Sequence, residues 1–224
     1  MVHLPARSPW YLLPVPTVLY LHGFASSPTG RKIALLRETL PAAEYRVVAP
    51  DLNRPSFAKL DFEAIVAAAL EAAAEEQPDV VVGSSLGALA ALEAGRWGLR
   101  APLVLVAPAL GFGSRWVEKL APGDPIPFFH HGEGRQIAIH RRFFEQLAAN
   151  TSGVAPPVQR VAILMGRKDE SVPFEGVFET WRRWEESGRL AKGSRFIAIS
   201  DGDHGLVDHT GRIAAEIQAS TASG

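Results

Sequence analysis

The sequence predicts an α/β protein with a mainly parallel sheet of about six strands and helices on both faces. Three observations predict it. Short apolar, β-branched runs recur along the chain, each followed by a segment with helical composition. The strand runs are nearly continuous in apolar residues, as when both faces of a sheet are covered. Helix-length segments between strands imply parallel βαβ units, whose right-handed crossovers put helices on both sides.

Taken in order, residues 15–21 read as the first strand and 31–40 as a helix, stopped by Pro41. Residues 45–49 form a second strand. Residues 57–76, rich in Ala, Leu and Glu, form a helix that stops before Pro78. Residues 79–84 are the third strand and 86–97 its helix. The fourth strand, 103–107, lies between Pro102 and Pro108. Residues 160–165 and 195–200 are the fifth and sixth strands, separated by a helix over 174–187 in which Trp181 and Trp184 read as core. Residues 212–218 belong to a closing helix. The interval 109–157 is too long for one crossover. It carries Gly111, Gly113, Pro122, Pro125, Pro127, Gly132 and Gly134, then a helical run over 136–149. It reads as a lid-like insertion within a single domain spanning residues 1–224.

Composition narrows the function. The chain has 224 residues and a net charge of −1, which gives no electrostatic case for nucleic acid or an anionic membrane. It contains no cysteine, so disulfides and thiolate metal sites are excluded. Residues 1–16 carry four prolines and no unbroken apolar core, so no signal peptide is expected. No stretch approaches the ~20 apolar residues of a membrane span. A cytoplasmic location is the expectation.

The chemistry concentrates in Gly83-Ser84-Ser85-Leu86-Gly87. It follows Val80-Val81-Val82 and opens into an Ala/Leu-rich helix, the setting of a G-x-S-x-G nucleophile elbow. Only Ser85 lies between glycines at that spacing; Ser84 reads as a hydrogen-bonded turn serine. Nucleophilic serine chemistry also needs a base, an orienting acid and oxyanion donors. His204, flanked by Gly202 and Gly205 after the last strand, is the base candidate, with His209 as competitor. Asp169, just past the fifth strand, is the acid candidate, with Glu170, Asp201 and Asp203 as competitors. The order Ser85, Asp169, His204 is one of several triad orders, and it matches strand-to-helix elbow enzymes. The oxyanion donors are expected to be the main-chain N–H groups of Leu86 and Phe24.

Tyr20-Leu21-His22-Gly23-Phe24-Ala25-Ser26-Ser27-Pro28 with Lys32, then Val48-Ala49-Pro50-Asp51-Leu52, the elbow, and Gly202-Asp203-His204 resemble the YqiA-like small bacterial esterases of the α/β-hydrolase superfamily. The resemblance spans most of residues 15–219. It implies the α/β-hydrolase fold, cofactor-free hydrolysis of carboxylic esters or thioesters, and Ser85, Asp169 and His204 as the triad. About fourteen residues precede the first strand, so the two leading strands of larger hydrolases are expected to be absent.

Other features have plainer readings. His22 is expected to brace the oxyanion backbone or touch substrate. His130, His131 and His140 lack carboxylates at ligand spacing, so no metal is expected. Phe128 and Phe129 read either as an acyl-binding wall or as packing for the insertion. Gly111-Phe112-Gly113 lacks the remaining elements of a dinucleotide fingerprint. The function expected is hydrolysis of a small-molecule ester through an acyl-enzyme. A thioesterase, a lyase or perhydrolase on the same triad, and a non-catalytic ligand-binding protein are the alternatives.

Overall fold

Near-continuous apolar runs do become strands, and their order places the loops that matter. The computed structural model describes residues 15–111, 117, 120, 122–151 and 153–222. Residues 1–14, with the N-terminal segment considered above, and Phe112 and Gly113 lie outside the described residues. In chain order the elements are β1 (Thr17–Leu21), α1 (Arg31–Thr39), β2 (Arg46–Val48), α2 (Phe62–Glu76), β3 (Val80–Ser84), α3 (Leu86–Arg96), β4 (Leu103–Val106), β5 (Ile126–His130), β6 (Arg135–Ile139), α4 (Arg141–Ala149), β7 (Val161–Gly166), α5 (Phe174–Glu186), β8 (Arg195–Ile199) and α6 (Thr210–Thr221). Six strands pair in parallel in the order β2-β1-β3-β4-β7-β8.

Alternation along each strand feeds two cores. Val18 and Tyr20 of β1 pack with Ile33 and Leu36 of α1 and Ile213 and Ile217 of α6. Leu19 and Leu21 join the opposite cluster, with Ile65 of α2, Leu92 of α3 and Trp181 and Trp184 of α5. Each fully buried Leu, Ile or Val contributes about 1.5–3 kcal/mol.

Two elements differ from expectation. The helix expected over 57–76 begins at Phe62. Residues 57–59 form a single 3-10 turn, and Asp61 caps α2 by accepting the Ala64 N–H at 3.1 Å. The helical run expected from residue 136 begins at Arg141. Residues 126–139 form an antiparallel hairpin, with Phe128 opposite Ile137 and His130 opposite Arg135. Ile137 and Ile139 are two apart and β-branched, so as a strand they turn the same face to the core. No described helix is long and apolar enough to cross a membrane.

Candidate active site

The site begins where β3 runs into α3. Ser85 has φ 53° and ψ −110°, a conformation that costs a non-glycine residue on the order of 1–3 kcal/mol. Its neighbours hold it there. A Cβ on Gly87 would lie 2.1 Å from the Leu21 carbonyl oxygen, and one on Gly83 would lie 2.6 Å from the Ala88 Cα. The motif glycines therefore let β1 and the first turn of α3 close onto the serine. The Ser85 N–H donates to the Val106 carbonyl at 2.9 Å, tying the turn to β4. Leu86 follows as the first helical residue, where N–H groups have no partner within the helix.

The loops after β7 and β8 are packed as tightly. A Cβ on Gly166 would meet the Gly202 carbonyl oxygen at 2.2 Å, and the Lys168 N–H donates to that same oxygen at 2.9 Å. Between them they carry Asp169 and His204. His204 Nδ1 donates to Asp169 Oδ2 at 2.8 Å, and its Nε2 lies 3.1 Å from Ser85 Oγ. The other Asp169 oxygen accepts the N–H groups of Ser171 at 2.9 Å and Val172 at 2.7 Å. The Asp169 side chain is fully buried, so its acceptor directions are fixed by these partners. A carboxylate on Nδ1 selects the tautomer in which Nε2 accepts from the serine hydroxyl.

The competitors are engaged elsewhere. Asp203 Oδ1 accepts the Leu206 N–H at 2.7 Å within its own loop. Asp201 is exposed and lies 3.5 Å from His209. Glu170 is exposed.

His22 is buried, and both its ring nitrogens are spent on main chain. Nε2 accepts the Leu52 N–H at 3.0 Å and Nδ1 donates to the Gly23 carbonyl at 2.9 Å. Burial holds its pKa below the usual histidine value, consistent with a neutral ring that accepts at one nitrogen. The ring thereby fixes the strand-to-helix loop bearing Phe24, which passes close enough that a Gly23 Cβ would touch Ser85 Cβ at 3.4 Å. The Phe24 ring meets Phe57, Phe128 and Phe144 at centroid distances of 5.4, 5.3 and 5.9 Å. Of the two hairpin phenylalanines, the structure brings only Phe128 to this cluster. Phe129, next along the strand, points the other way, is 50% exposed and meets the His131 ring edge-to-face at 5.3 Å. His130 is buried against the Phe57 ring and accepts the Glu133 N–H at 3.0 Å, while His140 pairs with Asp124 at 3.2 Å.

Beside the candidate triad lies a group to which the sequence assigns no role. Lys32 Nζ donates to Ser84 Oγ at 2.8 Å, and Ser84 in turn bonds the Tyr20 hydroxyl. The signal was helical spacing: Lys32 precedes buried Leu36 by four residues, so a lysine occupies the apolar stripe of α1. Ser85, His204, Ser84, Lys32, Ser26 and His22 line a cavity of about 140 Å³. A larger groove of about 560 Å³ lies among α2, α3 and α4, but it is mostly apolar and holds none of these residues.

Residues 17–210 match the family described as Uncharacterised protein family (UPF0227). No curated protein matches the chain. Est1E from Butyrivibrio proteoclasticus is 16% identical with a TM-score of 0.69, over 94% of this chain and 89% of that one. Alpha/beta hydrolase domain-containing protein 10 from mouse is 18% identical with a TM-score of 0.69, over 92% and 89%. The esterase domain of a Rhodothermus marinus protein is 19% identical with a TM-score of 0.67, over 94% and 88%. At such identities the shared property is the fold.

Proposed function

Because the chain belongs to the YqiA-like family, UPF0227, of the α/β-hydrolase superfamily, we propose that it is a serine hydrolase of carboxylic esters. The observation that carries the reading is the unbroken chain from Asp169 through His204 to Ser85, at 2.8 and 3.1 Å, ending on a serine held at positive φ. In this reading Ser85 Oγ attacks the ester carbonyl carbon and its proton passes to His204 Nε2. The imidazolium, steadied by Asp169, gives that proton to the departing alkoxide, leaving an acyl-Ser85. Water then attacks the acyl carbon, loses its proton to His204, and the carboxylic acid leaves as the proton returns to Ser85. The N–H groups of Leu86 and Phe24 hold the oxyanion in both steps, each donor lowering the barrier by about 3–4 kcal/mol. His22 acts by fixing the Phe24 loop. Phe128 and Phe144, from the 109–157 segment of the one hydrolase domain, form an apolar wall against Phe24 of the β1 loop.

A fluorophosphonate probe should label Ser85 in the folded protein, and p-nitrophenyl esters should be cleaved. Ser85→Ala should lower turnover by on the order of 10⁶, whereas Ser84→Ala should leave much of it. Equal activity in both variants, or no label on Ser85, refutes the assignment. A strong preference for acyl-CoA over p-nitrophenyl esters would make the leaving group a thiol.

A further inference from the structure

The cavity beside Ser85 contains a cation with no counter-charge in contact. An ammonium has three N–H donors. Lys32 gives one to Ser84 Oγ at 2.8 Å, and among the described residues no carboxylate forms an ion pair with it. The acids that act on it from nearby are Asp203 and Asp169. Both are bound to other groups: Asp203 to the Leu206 N–H, and Asp169 to His204, Ser171 and Val172. Asp169, with both oxygens engaged, is not free to close onto Lys32, and Asp203, whose Oδ1 is held by Leu206, forms no ion pair with it. A half-buried cation without a counter-charge is held at a cost, and a ligand that brings its own negative charge reduces that cost.

The geometry points to a carboxylate-binding subsite at Lys32, making the substrate an ester that itself carries a carboxylate. This deepens the reading of Ser85 and rests on it. Size limits the class further. A cavity of about 140 Å³ is close to the ~150 Å³ space that accepts benzene in an engineered protein, so it holds roughly six heavy atoms. That is about the size of an acyl carbonyl, two carbons and a carboxylate, and excludes a long acyl chain from this cavity. Burial moves the Lys32 pKa down to about 8, which leaves the ammonium charged at neutral pH.

The carboxylate could sit on the acyl side or on the alcohol side of the ester, and two probe pairs separate these. On the acyl side, monoethyl succinate is compared with ethyl levulinate, in which a methyl ketone replaces the carboxylate. On the alcohol side, acetoxyacetic acid is compared with acetoxyacetone. Calorimetric binding to the full chain carrying Ser85→Ala should favour the acid of one pair by at least about tenfold. Adding Lys32→Met should erase the preference, and Lys32→Arg should keep it. A lysine that only braced Ser84 would not alter this ratio. Equal binding of acid and neutral probe in both pairs, or a preference that survives Lys32→Met, overturns the subsite. Fluorophosphonate labelling of the unmodified protein reads the hydrolase assignment separately: label without preference refutes the subsite alone, and preference without label refutes the hydrolase alone.

Discussion

Replacing Lys32 with methionine should make the protein more stable at neutral pH and should remove a pH dependence. Burial lowers the Lys32 pKa from the usual 10.5 to about 8. The unfolded chain therefore binds this proton more tightly than the folded one between pH 8 and 10.5. Stability of the unmodified protein should rise with pH across that window, by at most about 3 kcal/mol from this residue. At pH 7 the whole penalty is present. Methionine fills similar space without charge, but Ser84 Oγ loses a charged donor at 2.8 Å, which offsets about 1–2 kcal/mol. The net gain is about 1–2 kcal/mol, or roughly 2–8 °C in Tm for a chain of this size. Urea unfolding of both proteins at pH 7, 8, 9 and 10 measures it, and subtracting one series from the other cancels every other titrating group. Parallel series, or a variant several kcal/mol less stable at pH 7, would refute the claim that the lysine is held there at a cost to folding. Such a cost is characteristic of residues kept for function.

Three further outcomes are expected. Asp169→Asn should retain the fold, by near-UV circular dichroism, yet lose roughly 10⁴ in kcat, because an amide facing Nδ1 favours the wrong imidazole tautomer; a loss under tenfold would remove Asp169 from the triad. Gly87→Ala places a methyl 2.1 Å from the Leu21 carbonyl oxygen, so β1 must move; a loss above about 4 kcal/mol in urea unfolding, or insoluble protein, is expected, and wild-type stability would contradict the packing. His22, whose pKa burial lowers, contributes fully above the unfolded value near 6.5 and progressively less as pH falls below it. The His22→Gln variant should therefore lose less stability than the parent between pH 6.5 and 5, and identical slopes would show that His22 is not held neutral.

Much of the fold was legible because a strand covered on both faces leaves an unmistakable run. Val80-Val81-Val82 and Leu103–Val106 are wholly buried, and their limits moved by a residue at most. What composition could not settle was competition between local signals. Phe57-Ala58-Lys59 looks like helix until Asp61 caps the chain afresh, and Gln136 to Ile139 has acceptable helical composition until Ile137 and Ile139 find the core as a strand. The same alternation divides Phe128 from Phe129, a distinction that composition alone does not carry. At the site, the glycines and chain order identified Ser85, Asp169 and His204 as candidates, and their separation of 3.1 Å or less required coordinates. Helical spacing puts Lys32 on the apolar stripe of α1, but its role was not legible, because only Ser84 across the fold reveals where its ammonium ends.

The sheet order carries a consequence for thermal behaviour. His204 hangs from β8, and β8 sits at the margin, bonded to β7 alone. Edge strands open with less free energy than central ones. Warming should therefore fray this border and withdraw the imidazole while β1, β3 and β4 remain assembled, so that inactivation precedes the collapse of helical ellipticity. The lifetime of the assembled Ser85–His204 pair is then set by one strand's grip on its single neighbour, while the bulk core survives it.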